Sequence, residues 1–534
     1  MPKLVIDNVE VEVADGETIL DAARKLGIDV PTLCYLKGYK ASTSCQVCLV
    51  KLVDSGRIVP SCGMPAADGM RVESETDEVH ALRRTALELL LSDHVGDCLA
   101  PCYFACPAHM DIPKMLRDIG DEDFAAAIAT IKEDIALPAV LGRVCPKPCE
   151  KGCRRSSADG PVEVCDLKRT VADQDLASES PYVPTCKEDS GKRIAVVGAG
   201  PTGLAAAFHL RVSGHHVKLF DAAHCAGGRL RSEFPKDLPA EVLDGEIDVI
   251  LRMGVSFAAG VSLGSDVTLS QLQNDFDAVL VCIGGEAKEH AGDWGLKISR
   301  RGIDINAGTF ETGTERVFAA GNAIRGKGLV VRSVADGKEA AAAIDEFVRG
   351  QKITPVVRPF SSRVGKIPTE EMAEFLSNGK PIGRLVETAK KGDSKSKSTS
   401  KQLPMLFEGS VAADQSQRCL ECGCIAHGNC SLETYAGKYG ADPTRYQSER
   451  RAYVKVNRNG SVIYEPGKCI NCELCIQIAN ESEDALGLSF VGRGFDVRIG
   501  VPFHATMEEA LGSVAEKCIT ACPTGALYFS QKQP

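Results

Sequence analysis

Cysteine is the residue whose number and spacing in this sequence point most directly to chemistry. The 534-residue chain contains 23 cysteines, and most of them stand in groups only a few residues apart. Such spacings bring several thiolates within reach of one metal centre, and Cys-Pro pairs are common beside iron–sulfur clusters. We recognise no export signal, so we expect metal centres, mostly iron–sulfur, rather than disulfides.

The first group contains one short cysteine pair between two long loops. It has the spacing C-x10-C-x2-C-x13-C and consists of Cys34, Cys45, Cys48 and Cys62. One short pair with long flanking loops suits a [2Fe–2S] cluster. The alternative is a zinc knuckle, which usually has two short pairs.

A second field lies in two loops that are separated by two predicted amphipathic helices. Its ligand candidates are His94, Cys98, Cys102, Cys106, Cys145, Cys149, Cys153 and Cys165. Eight ligands are the number that two [4Fe–4S] clusters need. His94 could instead be a surface histidine that closes the preceding helix, where a cation is favourable.

Two further groups follow near the C-terminal end of the sequence. The first, Cys419, Cys422, Cys424 and Cys430, could hold a [4Fe–4S] cluster or zinc. The second resembles a two-cluster ferredoxin run, but Ala479 stands where a fourth cysteine is expected. Crossed ligation then leaves one complete [4Fe–4S] set, which is Cys469, Cys472, Cys475 and Cys522. The ungrouped cysteines are interpreted as small apolar side chains and are Cys186, Cys225, Cys282 and Cys518.

A glycine-rich turn points to a bound dinucleotide. Gly198, Gly200 and Gly203 have the spacing G-x-G-x-x-G between a predicted strand and a helix that begins near Pro201. Glycines allow the tight turn and the approach of a pyrophosphate, which the helix N-terminus attracts. Asp221 ends the next predicted strand, where a carboxylate can accept from a ribose hydroxyl.

Residues 98–350 resemble the small subunit of NAD(P)H-dependent glutamate synthase and its relatives, including dihydropyrimidine dehydrogenase. The matching stretches are "CPAHMDIP", "GRVCPKPCEKGC" and the glycine-rich turn. The resemblance implies that the dinucleotide is FAD and adds four candidate FAD-binding residues: Gly228, Arg229, Gly321 and Asn322. Asn322 stands where the family usually has Asp, and an amide oxygen can also accept from a ribityl hydroxyl.

The same resemblance implies interleaved cluster ligands and a missing domain. Cys98, Cys102 and Cys153 would share one [4Fe–4S] cluster. Cys106, Cys145 and Cys149 would share the other, with Cys165 or a neighbour as fourth ligand. The family inserts a nicotinamide-binding domain after a segment like "FDAVLVCIGG". Only residues 286–316 separate that segment from the closing motif here, so we predict that this domain is absent.

The two ends of the chain resemble another group of redox proteins. The N-terminal domain resembles that of the large iron–sulfur subunit of respiratory NADH dehydrogenase and of iron-only hydrogenases. His94 resembles the histidine of a His-plus-three-Cys cluster in that subunit. The C-terminal cysteines resemble the ferredoxin domain of the same subunit and of its hydrogenase and formate-dehydrogenase relatives.

Together the motifs predict a multidomain protein of α/β and α+β class. The predicted modules are a β-grasp ferredoxin-like domain (1–78), a helical domain with two [4Fe–4S] clusters (79–188), a Rossmann-like FAD domain (189–352), a linker (353–410), a cysteine-rich motif (411–450) and a ferredoxin-like [4Fe–4S] domain (451–534). The Lys/Ser-rich stretch 386–404 marks the linker. We therefore expect FAD, one [2Fe–2S] and three to four [4Fe–4S] clusters.

These modules predict a subunit that relays electrons within a larger oxidoreductase of an anaerobic bacterium. One partner would be a subunit that uses NAD(P)H or ferredoxin, and NAD(P)H would bind to that partner rather than to this chain. The other would be a catalytic subunit of formate dehydrogenase, hydrogenase or another molybdenum or tungsten type. The net charge of −10 argues against nucleic acid, and we expect no membrane insertion and a cytoplasmic location. We predict no catalytic side chain. The alternatives are a self-sufficient NAD(P)H:acceptor oxidoreductase and a metal-stabilised scaffold or redox sensor.

Overall fold

The chain folds into two compact units, and each of them is assembled from separate stretches of sequence. The computed structural model describes residues 1–384, 407–447, 449–456 and 460–530. The first unit comprises Met1–Ala100, Pro359–Ser377 and Cys422–Pro534, and the second comprises Pro101–Arg358 and Asn378–Glu421. The second unit is therefore inserted into the sequence of the first.

The first unit begins with a mixed five-stranded sheet. Its elements are β1 (Lys3–Ile6), β2 (Val9–Glu12), α1 (Ile19–Lys25), β3 (Leu49–Leu52), β4 (Ile58–Pro60), β5 (Arg71–Glu73) and α2 (Asp77–Leu91). The strand order is β2-β1-β5-β3-β4, and β1 and β5 run parallel. Leu4 and Ile6 alternate inward along β1 and pack with Leu20 of α1. Thr18 and Asp21 form a capping box that fixes the start of α1.

The second unit begins with short helices that carry the cysteine loops. They are α3 (Pro101–Ala105), α4 (Ile112–Gly120), α5 (Phe124–Asp134), α6 (Pro138–Val144), α7 (Pro148–Lys151) and α8 (Val164–Leu176). Asp111 and Asp123 cap α4 and α5 by accepting from backbone N–H groups. Glu246 is buried and accepts from the N–H groups of Ala139 and Val140, both at 2.8 Å, which secures the start of α6. The helices share one hydrophobic core with the sheet that follows.

That sheet is parallel throughout and has the order β10-β9-β6-β7-β8. Its elements are β6 (Arg193–Val197), α9 (Pro201–Val212), β7 (His216–Asp221), α10 (Leu230–Glu233), α11 (Ala240–Arg252), β8 (Ser256–Ala259), α12 (Leu269–Asp275), β9 (Ala278–Val281), α13 (Ala287–His290), β10 (Val317–Ala319) and α14 (Val330–Val348). Helices α9 and α14 pack closely, because Gly337 of α14 has no side chain to collide with Thr202 of α9. This is the doubly wound arrangement that binds ligands at the carboxyl ends of its strands.

The connection between β9 and β10 is short and adds no strand to this sheet. Residues 282–316 are all described and contain the single four-residue helix α13 and two isolated bridges, Ile298 with Ile303 and Glu311 with Phe318. Strands β9 and β10 are direct neighbours in parallel register. The described chain therefore passes between the two strands without a second nucleotide-binding fold.

The remaining elements differ from the predicted linker over 353–410. Helix Thr369–Leu376 lies within that range, and Ser362 and Val364 before it are buried. The described part of the range thus contains one helix and several buried residues, whereas the Lys/Ser-rich stretch 386–404 lies outside the described residues. The linker stays a prediction. From residue 407 onward, the described ranges contain four more strands and five more α-helices: Gly409–Ser416, Ser431–Tyr439, β11 (Val462–Tyr464), Leu474–Asn480, β12 (Ser489–Val491), β13 (Arg498–Gly500), Met507–Leu511, Ala515–Ala521 and β14 (Leu527–Phe529).

None of the helices within the described ranges has both the length and the apolar character that a membrane crossing needs. The cytoplasmic location stays a prediction.

The close packing of α9 on α14 can be tested with a pair of glycine substitutions. In Gly337→Ala the new Cβ overlaps the Thr202 carbonyl oxygen, so we expect the free energy of unfolding to fall by about 1–3 kcal/mol. Gly245→Ala is the matched control on α11, because its Cβ meets only Leu176, at 3.7 Å, and alanine favours the helix by up to about 1 kcal/mol. Calorimetry of the full chain should give the highest midpoint temperature of unfolding for Gly245→Ala, an intermediate one for wild type and the lowest for Gly337→Ala. Equal midpoints for G337A and wild type would contradict the packing.

Candidate functional site

The four N-terminal cysteines converge in the interior of the first unit. Their Sγ atoms form a connected set, in which Cys34 lies 3.3 Å from Cys45 and Cys62 contacts both Cys34 and Cys48. All four side chains are at most 4% exposed. Hydrogen bonds from Cys45 and Cys62 lower the pKa of Cys34 and favour its thiolate. This donor set fits the [2Fe–2S] cluster that the spacing predicts.

A second set of four thiols forms in the second unit. Cys145 follows α6, Cys149 lies in α7, and Cys165 lies in the first turn of α8. Cys165 hydrogen-bonds with Cys145 and Cys149, and these bonds lower its pKa well below the usual value. Cys106 is close enough for its charge to raise the pKa of Cys149. The sequence left the fourth ligand of this set open between Cys165 and a neighbouring residue, and the structure places Cys165 beside Cys145 and Cys149.

Cys98 has partners that the sequence did not indicate. The N–H of Cys424 donates to the carbonyl oxygen of Cys98 at 3.1 Å, and Asp97 pairs with Gly423 in an isolated bridge. Burial raises the pKa of Cys430 to about 12, and the charges of Cys424 and Cys98 add to that rise. Within the first unit, the set is therefore Cys98, Cys424 and Cys430.

His94 lies in the same unit, beside Lys468. A Cβ built on Gly96 would stand 3.2 Å from the His94 Nε2 and 3.1 Å from the Lys468 Cε. Burial and then the charge of Lys468 lower the pKa of His94 to about 4. A neutral imidazole is the form that binds a metal. The residue is half-buried, and both its ligation and the helix-closing alternative stay predictions.

The grouping of Cys98 with Cys102 and Cys153 stays a prediction, because Cys98 belongs to the first unit and the other two belong to the second. In the second unit, burial raises the pKa of Cys419 to about 12, and the charge of Cys153 contributes to the rise. Cys102 lies in α3, which packs on α7, and its carbonyl oxygen accepts from the N–H of Cys106 at 3.0 Å.

The cysteines of the Cys419–Cys430 motif are divided between the units, with Cys419 in the second and Cys422, Cys424 and Cys430 in the first. The single zinc or cluster site at these residues stays a prediction. Among the described residues, no group of three or more His, Cys, Asp or Glu side chains is tight enough for one metal ion. The thiols nevertheless hydrogen-bond or shift one another's pKa in every set above. A cluster spreads its thiolates over several iron atoms, so such wider sets fit a cluster better than a single ion.

The C-terminal cysteines surround a cavity in the first unit. Its lining includes all four predicted ligands, Cys469, Cys472, Cys475 and Cys522, with apolar walls from residues such as Leu488 and Ile499. Cys518 does not line this cavity but is fully buried in the adjoining core. The cavity fits one [4Fe–4S] cluster held by crossed ligation.

Three of the thiol sets meet in one hydrophobic cluster of the first unit. This cluster contains Cys34 and Cys45 from the first set, Cys430 from the Cys98 set, and Cys472 from the C-terminal set. The charge of Cys34 is close enough to raise the pKa of Cys472 further, after burial and Cys522. At least one buried cysteine of each of the three sets therefore lies in the same apolar interior.

The glycine turn of the second unit is shaped for a pyrophosphate. A Cβ on Gly203 would overlap the carbonyl oxygen of Gly198, so α9 can approach β6 only with glycine there. At Gly200 a Cβ would meet nothing within 4 Å, which leaves open space beside the turn. Pro201 begins α9, whose N-terminus faces the turn. Asp221 orders the turn, because its carboxylate accepts from the N–H of Ala199 at 2.7 Å.

The residues added by the family resemblance lie around the same turn. Gly228 has φ +52°, and a Cβ there would lie 3.0 Å from the Gly200 Cα. Arg229 is exposed and pairs with Glu233. Gly321 stands against Thr202 of α9. Asn322 follows it, and its Oδ1 is buried without a hydrogen-bond partner. An orphaned acceptor beside the turn fits a ribityl hydroxyl, so the residues present fit FAD.

Two residues near these sites carried no sequence signal. Ser362 Oγ lies 3.4 Å from Cys98 Sγ, although 264 residues separate them. Cys282, which we interpreted as an apolar side chain, is buried and donates to the carbonyl oxygens of Val197 and Gly198. Neither contact can be inferred from spacing, since both depend on how the strands and the insertion are arranged.

Three family models match parts of the chain. Residues 3–77 match the 2Fe-2S iron–sulfur cluster binding domain, residues 92–180 match the 4Fe-4S domain II of dihydropyrimidine dehydrogenase, and residues 154–337 match the pyridine nucleotide-disulphide oxidoreductases. The chain thus combines iron–sulfur domains with a pyridine nucleotide-disulphide oxidoreductase domain. This confirms the predicted resemblance, the mixed α/β multidomain class with ferredoxin-like and Rossmann-like domains, and the cofactor types FAD, [2Fe–2S] and [4Fe–4S].

Three curated relatives are subunits of oxidoreductases. The chain is 34% identical over 331 residues to the beta subunit of the NADP(+)-dependent formate dehydrogenase of Moorella thermoacetica, covering 54% of this chain and 46% of that one. It is 35% identical over 214 residues to the NADPH-Fe(3+) oxidoreductase subunit beta of Geobacter sulfurreducens, with coverages of 39% and 32%. It is 39% identical over 203 residues to the NAD-dependent dihydropyrimidine dehydrogenase subunit PreT of Escherichia coli, with coverages of 37% and 49%. The chain spans less than half the length of each.

Replacement of Cys165 tests the second thiol set. Cys165→Ala removes the thiol that contacts Cys145 and Cys149, so we expect less bound iron and sulfide, up to one cluster, and loss of one [4Fe–4S] signal. Cys225→Ala is the matched control, because Cys225 is exposed. Iron and sulfide analysis with electron paramagnetic resonance (EPR) measures both. Wild-type cluster content in C165A would show that another residue completes the set.

Replacement of Asn322 tests the flavin site. Asn322→Ala removes the buried unpaired acceptor, and we expect the Kd for FAD to rise about tenfold. Asn322→Asp restores an acceptor of the same shape, so its Kd for FAD should stay close to that of wild type. Flavin fluorescence titration of the deflavinated chain gives both constants. Unchanged affinity in N322A would mean that this side chain does not contact FAD.

Proposed function

We propose that the chain is the FAD- and iron–sulfur-containing electron-transfer subunit of a multisubunit oxidoreductase. The observation that carries the proposal is the hydrophobic cluster in which Cys34, Cys430 and Cys472 lie together. Centres held at these thiols would be close neighbours shielded from water, which suits the passage of single electrons. The names of the three relatives support the proposal, since each is a subunit of an oxidoreductase.

The proposed ligand sets follow the thiol neighbours. Cys34, Cys45, Cys48 and Cys62 hold the [2Fe–2S] cluster. Four [4Fe–4S] clusters have the following ligands: Cys106, Cys145, Cys149 and Cys165 for the first; Cys469, Cys472, Cys475 and Cys522 for the second; Cys98, Cys424 and Cys430 with His94 for the third; and Cys102, Cys153 and Cys419 among those of the fourth. Cys422 stays a predicted ligand, and the predicted order of modules is part of this proposal.

The residues of the second unit hold and orient the flavin. Bound FAD supplies the exchange between two-electron and one-electron transfer. The glycine turn and the N-terminus of α9 bind its pyrophosphate, Asp221 accepts from a ribose hydroxyl, and Asn322 accepts from the ribityl chain. Lys338 of α14 donates to the carbonyl oxygen of Ala108 at 2.8 Å, two residues from Cys106. This contact holds the flavin fold against the loop that carries the first [4Fe–4S] ligand.

Hydride from NAD(P)H enters through a partner subunit in this proposal. Strands β9 and β10 are joined without a nicotinamide-binding fold, and two of the relatives are named for NADP(+) or NADPH and one for NAD. The electrons then pass to a catalytic partner of formate dehydrogenase, hydrogenase or another molybdenum or tungsten type. The chain alone is not catalytic.

Anaerobic mixing of the cluster-loaded chain with a reductant tests this division of labour. We expect dithionite to bleach the flavin and iron–sulfur absorbance, whereas NADH and NADPH leave it unchanged from milliseconds to minutes. NADH and NADPH can reduce the flavin only when their nicotinamide is bound beside it, and in this proposal the partner subunit binds the nicotinamide. Bleaching by either nucleotide at catalytic rates would contradict the proposal and favour a self-sufficient NAD(P)H:acceptor oxidoreductase. Redox-silent centres that dithionite does not bleach would favour a scaffold or sensor.

A further inference from the structure

Lys168 is a buried lysine next to the first [4Fe–4S] ligand set. It lies three residues after Cys165 in α8, so the two side chains share one face of the helix. Its side chain is almost wholly enclosed, and the residue is only 3% exposed. An ammonium group in such a position is costly unless an opposite charge faces it.

The carboxylates of α7 and of the start of α8 are paired with other cations. Lys147 binds Asp166 at 2.6 Å and lies 3.9 Å from Glu150. Arg384 binds Glu163 at 3.0 Å, and Arg418 reaches the same carboxylate at 3.4 Å. Across the described part of the chain, no ion pair includes Lys168. Its counter-charge must therefore come from elsewhere.

The groups that supply this charge are the four thiols. Burial disfavours the charged form of Lys168, but the negative charges of Cys165, Cys145, Cys149 and Cys106 more than offset it and raise its pKa. These are the same four cysteines that the second unit brings together. Because it is buried and stands one helical turn after Cys165 on the same face of α8, Lys168 lies beside this ligand set.

We propose that Lys168 is the built-in counter-charge of the [4Fe–4S] cluster at Cys106, Cys145, Cys149 and Cys165 and that it raises the reduction potential of this cluster. The inference rests on the proposed function, because it assumes that a cluster occupies this set. When one electron enters, the centre becomes more negative, and a fixed cation in a dry interior stabilises the reduced form more than the oxidised form. The cluster next to the flavin fold is thereby poised to accept electrons.

Neutral and charge-retaining variants of Lys168 separate this role from packing. In the full chain, EPR-monitored titration with dithionite and mediators gives the midpoint potential of each cluster. We expect Lys168→Met and Lys168→Gln to shift the reduction equilibrium of this cluster at least tenfold toward the oxidised form, which is about 59 mV for one electron. Lys168→Arg should keep most of the wild-type potential.

The matched control is Lys151→Met in α7. Lys151 is exposed and stands two residues after Cys149, so the same charge change occurs nearby but in water, where salt screens it. We expect its potential to equal that of wild type.

The outcomes are distinct. Wild-type potential in K168M and K168Q with intact cluster content would overturn the inference. Loss of this cluster in both neutral variants but not in K168R would support a counter-charge that the cluster needs for assembly. Its loss in all three variants, the charge-retaining one included, would contradict the inference. Absence of the cluster from the wild-type chain would instead contradict the proposed function.

Discussion

The structure depends on one constraint: thiols from distant parts of the chain must converge inside an apolar interior. A buried thiol resists ionisation, and burial accordingly raises the pKa of Cys98 to about 11 and that of Cys419 to about 12. Iron offsets this cost, because the metal binds the thiolate that the interior disfavours. The hydrophobic packing that makes the isolated thiols unfavourable is the same packing that excludes water from the paths between centres.

The insertion explains how a single chain satisfies this constraint in two units. The first unit closes around residues 1–100 and 422–534, and the bridge between Asp97 and Gly423 marks the place where its two halves meet. The second unit supplies the flavin fold and its own thiol set from residues between them.

The sequence predicted those parts whose ligands share a short stretch. Cys469, Cys472 and Cys475 could be grouped because their spacing is local, and Cys522 followed from the general wiring of ferredoxins. Cys98 could not be grouped with Cys424 from the sequence, because 325 residues lie between them and their backbone hydrogen bond forms only in the folded unit. The flavin turn was predictable from glycine spacing, whereas the unpaired Asn322 Oδ1 depends on the packing of α9, β10 and the turn around it.

The central claim is that the centres of the first unit are electronic neighbours, and magnetic coupling between them tests it most directly. The measurement is EPR of the full chain during stepwise reduction. We predict that the [2Fe–2S] signal broadens or splits as the cluster at Cys469, Cys472, Cys475 and Cys522 becomes reduced, and that Cys475→Ala abolishes the change, because Cys34 and Cys472 share one hydrophobic cluster. Spectra that remain a simple sum of independent signals at every stage of reduction would contradict the account.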